Sequence, residues 1–197
     1  APTELKYYRF MEFDWDGVPL IISRTGWSSE LGYEIFLRDG TQGEKLWEHL
    51  MAVGGPLGLK PGHTSSIRRI EAGMLSYHAD MTLANNPYEM GMGRLVDLDM
   101  EADFISKAAL TLIKERGVSQ QLVGLEIDGD PFVGSNDFFW PILEEGVKVG
   151  TVTSAIYSPR LQKNIALAMI SIDHTASGRI LQVCLLYTSP SPRDQVV

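Results

Sequence analysis

Alternating polar and apolar residues near the start of the chain predict three β-strands. Residues 5–13 and 18–24 alternate or run apolar, and residues 14–17 between them have the composition of a tight turn. This pattern is typical of a β-hairpin. Residues 32–37 continue it after a polar, glycine-containing segment and predict a third strand.

Helical spacing of apolar residues marks the next part of the chain. Residues 41–53 and 104–114 place apolar side chains three and four positions apart, which predicts two amphipathic helices. Between them, Thr64 or Ser65 is suitably placed to cap a shorter helix. Residues 95–99 predict an isolated strand.

The character of the chain changes after Gly117. Short strand-like segments then follow one another, separated by turns with Gly, Asp and Pro: residues 121–127, 140–143, 148–154 and 164–171. Such spacing is typical of a small antiparallel β-barrel. The sequence therefore predicts an α+β protein, with one domain at residues 1–117 and an incomplete barrel domain at residues 118–183.

Composition narrows the class of protein. Hydrophobic residues make up 44% of the 197 residues and charged residues 21%, as in ordinary soluble domains. No apolar run approaches the roughly 20 residues that a bilayer span requires, so no membrane segment is expected. The net charge of −8 argues against nucleic-acid binding, which uses clustered Lys and Arg. A single cysteine, Cys184, fits a reducing, cytoplasmic location.

Both ends of the chain suggest a piece of a longer protein. The sequence starts without an initiator Met. Residues 184–194 resemble one reading frame of a sequencing adapter of the kind that terminates metagenomic reading frames, so residues 184–197 are expected to be non-native. A native Ser/Pro-rich tail is the alternative.

Common catalytic motifs do not stand out. The four histidines, His49, His63, His78 and His174, are not at ligand spacing, and no CxxC occurs, so no metal site is expected. There is no Gly-x-Ser-x-Gly motif and no complete phosphate loop.

Two carboxylates between predicted strands are the main candidates for ligand contact. Glu30 and Glu34 lie four residues apart, and Glu34 shares a strand face with Gly32 rather than with Tyr33. Such acids either face solvent or accept hydrogen bonds from a ligand, for example the paired N–H groups of a pterin. Arg68, Arg69 and Glu71 form either a solvated helix face or an ion pair between elements.

Four ordered blocks of sequence resemble the glycine-cleavage T-protein (aminomethyltransferase) superfamily. Residues 25–34 resemble its TGYTGEDGYE block, and residues 69–73 resemble its RLEAG helix. Residues 86–93 together with 103–107 resemble NPxEAGLG…DFIGK, and residues 150–168 resemble VGxVTSGxxSPxLxKNIALA. On these blocks the chain is identified as a member of the superfamily.

This resemblance implies a fold, a cofactor and a reaction. Members bind tetrahydrofolate at the centre of a three-domain ring and transfer a one-carbon unit to it from a small amine or sulfonium substrate. The chain corresponds to the end of the ferredoxin-like αβ layers followed by the C-terminal barrel, a T-protein fold truncated at its N-terminus. In the aminomethyltransferases the absent half carries the catalytic aspartate, so the catalytic residues here are unknown and the fragment alone is expected to be inactive.

The family pattern also assigns candidate cofactor-binding residues. It implies that Glu34 contacts the pterin, that Tyr33 and Trp27 line the pocket, and that Glu30 contributes less. Trp27, Tyr33 and Tyr8 are also aromatic candidates for contact with a sulfonium, because aromatic faces attract cations, and packing in the core is the alternative for each of them.

The expected subfamily depends mainly on Ser65. Aminomethyltransferases carry a folate-contacting arginine at this position, whereas the surrounding sequence is more similar to dimethylsulfoniopropionate (DMSP) demethylase. The resemblance therefore implies methyl transfer from DMSP to tetrahydrofolate. The alternatives are an aminomethyltransferase, the folate domain of a sarcosine or dimethylglycine dehydrogenase, and a non-catalytic folate-binding module of iron–sulfur assembly, whose usual cysteine motif is missing here.

Overall fold

The computed structural model describes residues 1–185, so the greater part of the predicted non-native tail lies outside the described residues. The chain divides into two compact units, Ala1–Met74 and the part from Leu75 onwards. Each unit has its own antiparallel sheet and at least one helix. The α+β class predicted from the sequence is therefore confirmed, while the domain limits at residues 117 and 183 stay a prediction.

A three-stranded antiparallel sheet forms the first unit, in the order β1 (Phe10–Trp15), β2 (Val18–Ser23), β3 (Glu34–Leu37). The turn between β1 and β2 places Asp16 and Gly17 at φ values of 54° and 80°. Two successive residues with positive φ match the twist of a tight hairpin. The predicted hairpin and third strand are confirmed.

Two helices follow this sheet, α1 (Gly43–Gly54) and α2 (Ser66–Glu71). The first confirms the helix expected over residues 41–53. Ser65 is the N-cap of α2, and its Oγ accepts a hydrogen bond from the N–H of Arg68 at 3.3 Å. This bond satisfies one of the amides that the first turn leaves without a helical partner, as the sequence predicts.

The second unit begins with a long irregular segment before α3 (Lys107–Arg116). The strand predicted at residues 95–99 is wrong. Asp97 Oδ1 instead accepts hydrogen bonds from the N–H groups of Asp99 at 3.1 Å and Met100 at 3.2 Å. A short polar side chain that bonds the backbone just ahead of it favours a turn over a strand.

Five strands form the antiparallel sheet of the second unit: β4 (Gln120–Ile127), β5 (Trp140–Glu144), β6 (Val147–Ser158), β7 (Lys163–Ser171) and β8 (Gln182–Val183). Their order in the sheet is β4-β7-β6-β5-β8. The four strands predicted after Gly117 are confirmed, with β6 extending further than expected. Ile142, Val152 and Ile170 lie at the centre of the core and are almost fully buried.

Short 3₁₀ helices occupy several of the connections: Pro2–Glu4, Gly40–Gln42, Gly55–Leu57, Gly93–Leu95 and Ile172–His174.

A buried carboxylate anchors the irregular segment to β6. Asp80 is 3% exposed, and its Oδ1 accepts hydrogen bonds from the hydroxyls of Thr153 at 2.7 Å and Ser154 at 2.6 Å. Its Oδ2 accepts the N–H of Ser76 at 2.9 Å. Burial of an ionised group is tolerated where hydrogen bonds replace water, so these donors stabilise the segment on the sheet.

A second buried carboxylate lies beside β4. Glu89 Oε1 accepts a hydrogen bond from Gln120 Nε2 at 3.2 Å, and its main-chain O accepts the N–H of Leu122 at 2.7 Å. Its Oε2 accepts the N–H of Asn86 at 3.1 Å. The side chain and the main chain of Glu89 thus both hold its loop against the start of β4 by hydrogen bonds.

Candidate functional site

The residues expected to bind the cofactor lie in the first unit, on the connection between β2 and β3. We call residues 23–34 the acceptor loop. Its ends are fixed because Ser23 and Glu34 are directly paired across the two antiparallel strands. Ser29 in the middle of the loop has a φ of 59°, a left-handed conformation that turns the chain back towards β3.

A chain of hydroxyl groups orients the carboxylate of Glu34. The Oγ1 of Thr25 donates a short hydrogen bond to Glu34 Oε2. The Oγ of Ser23 lies 2.6 Å from the same Thr25 oxygen, and because the Thr25 proton points to Glu34, Ser23 is the donor of that bond.

The second oxygen of Glu34 remains available to a ligand. Among residues 1–185 no hydrogen bond to Glu34 Oε1 is recorded, and the side chain is exposed. A carboxylate whose one oxygen is fixed and whose other oxygen is open can accept N–H groups of a planar heterocycle. The contact of Glu34 with the pterin stays a prediction.

Glu30 is held in a different way. Its Oε1 forms an ion pair with Arg68 NH1 of α2, and the two side chains are about half exposed. The guanidinium compensates the charge of Glu30, which makes this carboxylate a weaker acceptor for a ligand than Glu34. Its contact with the cofactor stays a prediction.

Trp27 packs against the second arginine of α2. The Cζ of Arg69 lies 5.6 Å from the centre of the indole ring, within the range of a cation–π contact. Arg69 is only 7% exposed, and its NH1 also donates to the main-chain O of Met74 at 3.3 Å. Trp27 itself is 44% exposed, so a ligand can reach part of the ring.

The two tyrosines expected near the site are also accessible. Tyr33 precedes β3 directly and is 39% exposed. Tyr8 is 75% exposed, and its N–H donates to the main-chain O of Arg24 at 3.2 Å, next to the acceptor loop. The pocket-lining role of Tyr33 and the aromatic role of Tyr8 stay predictions.

The partners in these contacts were not evident from the sequence. The linking hydroxyls of Ser23 and Thr25 belong to a motif that is ordinary for a turn. The roles of Arg68 and Arg69 depend on α2 packing against a loop that precedes it by more than thirty residues. Of the two interpretations weighed for these arginines, the structure shows the ion pair between elements for Arg68.

Metal binding finds no support among residues 1–185, where no group of three or more His, Cys, Asp or Glu side chains is arranged to hold an ion. Within the same residues, no helix has both the length and the apolar character needed to cross a membrane.

The fold and the site define an α+β protein in which an antiparallel sheet with a ligand-accessible carboxylate is followed by a second antiparallel sheet. A family model described as the GCVT N-terminal domain matches residues 1–100, and one described as the glycine cleavage T-protein C-terminal barrel domain matches residues 120–188. The chain belongs to the glycine cleavage T-protein family.

Individual relatives agree with this membership. A dimethylsulfoniopropionate demethylase of Ruegeria pomeroyi is 36% identical over 183 residues, which cover 93% of this chain and 49% of that protein. An aminomethyltransferase of Desulfitobacterium hafniense is 36% identical over 186 residues, with the same two coverages.

A solved structure extends the likeness to the fold. The crystal structure of the glycine cleavage system aminomethyltransferase T from Bartonella henselae matches with a TM-score of 0.74 at 21% identity, over 93% of this chain and 49% of that chain. The expected T-protein fold is confirmed, and the chain spans about half the length of the relatives it matches. Family membership also agrees with the expected cofactor, tetrahydrofolate.

Proposed function

We propose that this chain is part of a tetrahydrofolate-dependent one-carbon transferase that moves a methyl group from the sulfonium of DMSP to the folate. The observation that carries the folate part of the proposal is the carboxylate of Glu34, which Thr25 orients and whose Oε1 is left open. This oxygen would accept the N–H donors of the pterin, as the family pattern implies.

The chemistry of a sulfonium demands little from the protein beyond alignment. The S–CH₃ bond breaks with its electron pair going to sulfur, which leaves as a neutral thioether and needs no general acid. The methyl carbon bonds to N5 of the folate, and the N5 proton is released to solvent. Residues of the acceptor loop therefore contribute by holding the folate in position, which is catalysis by proximity and orientation.

Ser65 supports the sulfonium substrate over an aminomethyl group. In this chain the side chain caps α2 through Arg68 N–H, at the position where aminomethyltransferases carry an arginine that serves the folate. The match to the demethylase of Ruegeria pomeroyi supports the same choice. An aminomethyltransferase remains the second candidate, because the Desulfitobacterium hafniense enzyme matches at the same identity.

A substrate comparison in a full-length protein that contains this chain tests the proposal. We expect tetrahydrofolate-dependent release of methylmercaptopropionate from DMSP, and no turnover with an aminomethylated lipoyl protein, sarcosine or dimethylglycine. Turnover with the lipoyl protein alone would favour the second candidate.

The folate contact is tested separately by Glu34→Gln in the same full-length protein. We expect calorimetric affinity for 5-formyltetrahydrofolate to fall at least tenfold, about 1.4 kcal/mol, because the amide no longer offers a charged acceptor. Glu12→Gln is the matched control, since Glu12 lies on the same sheet in an exposed ion pair with Arg38 at 2.8 Å. Equal affinities for both variants would remove Glu34 from the site.

A further inference from the structure

The hydroxyl chain that ends at Glu34 runs in one direction. Thr25 Oγ1 uses its single proton to donate to Glu34 Oε2, so Ser23 is the donor across the 2.6 Å between the two hydroxyl oxygens. Each bond of such a chain polarises the next and strengthens it. Ser23 is only 8% exposed, so the chain begins at a side chain shielded from water and ends at an exposed carboxylate.

The three residues of this chain come from three parts of the backbone. Ser23 ends β2, Glu34 begins β3, and the two are direct partners across the strands. Thr25 belongs to the acceptor loop that joins them. The bonds therefore hold the Glu34 side chain relative to the loop as well as to the sheet. An exposed glutamate without such contacts samples several rotamers.

We propose that Ser23 and Thr25 are positioning residues that hold the Glu34 carboxylate in one orientation before the folate binds. The proposal rests on the proposed function, in which Glu34 accepts N–H donors of the pterin. Ordering a long side chain on binding costs affinity, and a side chain that is already ordered avoids that cost. Thr25 occupies one lone pair of Oε2, so both oxygens of Glu34 keep acceptor capacity for a pair of N–H groups. The two hydroxyls thus raise folate affinity without touching the folate themselves.

Another threonine of the same unit provides the comparison. Thr41 Oγ1 also donates to a carboxylate, Asp39 Oδ1, at 2.7 Å. That bond joins residues two positions apart and belongs to the cap of a short 3₁₀ helix. The bond from Thr25 to Glu34 instead spans nine positions and closes the acceptor loop. Thr41→Val is therefore the matched control, because it removes the same kind of bond outside the acceptor loop.

NMR of the 197-residue chain tests the positioning itself, without any folate. The three-bond couplings from the backbone N and C′ to Cγ of Glu34 report its χ1 rotamers. We expect the couplings of one rotamer in the unmodified chain and averaged couplings in Thr25→Val. Thr25→Ser keeps the hydroxyl and should stay close to the unmodified chain, and Thr41→Val should leave the Glu34 couplings unchanged. Averaged couplings in the unmodified chain, or unchanged couplings in a folded Thr25→Val chain, would overturn the proposal.

Calorimetry of a full-length protein with 5-formyltetrahydrofolate tests the consequence for the cofactor. Thr25→Val is expected to lower the affinity about fivefold, and Thr25→Ser should restore most of it. Ser23→Ala should lower the affinity by a smaller factor, about twofold, because Thr25 keeps its bond to Glu34. Unchanged affinity in Ser23→Ala would remove Ser23 from the proposal. If Thr25→Val does not fold, Thr25→Ala takes its place and is judged by the same couplings and the same affinity.

A double-mutant cycle separates positioning from direct contact with the folate. In a Glu34→Gln background, Thr25→Val should change the affinity less than about twofold, because Thr25 acts only through the carboxylate. An equal loss in both backgrounds would mean that Thr25 contacts the folate itself, which contradicts the proposal. Absence of any folate binding by the unmodified full-length protein would refute the proposed function and the effect on affinity together, whereas the NMR couplings decide the positioning of Glu34 independently.

Discussion

Replacement of Asp80 by alanine is expected to destabilise the second unit strongly. The carboxylate is 3% exposed, and the hydrogen bonds that it accepts include those from the Thr153 and Ser154 hydroxyls and from the Ser76 amide. The Thr153 hydroxyl has an alternative acceptor in the main-chain O of Leu167 at 3.1 Å. Loss of a buried acceptor costs roughly 1–3 kcal/mol for each donor that it served, so the expected cost of removing the Asp80 carboxylate is about 3 kcal/mol.

Urea unfolding of the chain labelled with 5-fluorotryptophan measures this cost. Trp140 is the tryptophan of the second unit, so its ¹⁹F resonance reports that unit alone. With a slope of about 2 kcal/mol per molar urea, the midpoint should fall by roughly 1.5 M. Asp80→Asn should cost less, because one oxygen can still accept the two hydroxyls.

Asp97→Ala is the control for this experiment. Asp97 also accepts two amide hydrogen bonds, but it is exposed, so water replaces the lost acceptor and the midpoint should move by less than about 0.5 M. Equal shifts for Asp80→Ala and Asp97→Ala would refute the argument that burial makes the anchor important.

Three further changes have definite expected outcomes. Ser65→Ala should destabilise the first unit by about 1 kcal/mol in urea unfolding, because the N-cap bond to Arg68 is lost, and Ser65→Asp should retain it. Gly150→Ala should lower the midpoint of the second unit by at least 0.5 M, since an added Cβ would lie 2.6 Å from Met169 O, whereas Gly124→Ala, with open space around it, should not. Arg179 and His174 lower the pKa of Glu144, with Arg179 the larger cause, so the stability they add is fully present above the unfolded-state pKa of about 4.3 and is lost as pH falls through the lower folded pKa. The difference in unfolding midpoint between the chain and Arg179→Met should therefore be constant above about pH 5 and shrink towards pH 3; a difference that grows on acidification would contradict this.

Local signals predicted most of the strands and helices because they are carried by neighbouring residues. Asp16 and Gly17 form the turn of the first hairpin, and Ser65 is the N-cap of α2. Each of these residues acts on backbone groups no more than three positions away. The strand prediction for residues 95–99 was wrong because the Asp97 side chain accepts hydrogen bonds from the backbone just ahead of it, which favours a turn. The pattern of apolar residues carries no information about that competing hydrogen bond.

The candidate site was predictable only in part. The family pattern pointed to Glu34 and Trp27, which lie within one short motif. The residues that fix them were not predictable, because Thr25 looks like an ordinary turn residue and Arg69 meets Trp27 only after α2 has packed against the acceptor loop. Tertiary contacts of this kind leave no periodic trace in a single sequence.

The loop around Glu89 has a consequence for the solubility of the chain. Strand β4 lies at one edge of its sheet, and the main-chain groups on its outer side could pair with a strand of another molecule. The main-chain O of Glu89 accepts the N–H of Leu122, and the Glu89 carboxylate accepts a hydrogen bond from Gln120. The loop that carries Glu89 therefore covers the start of that edge. Covering an edge strand with a loop is one way in which proteins limit pairing with strands of other molecules, and the contacts of Glu89 give β4 such a cover at its first residues.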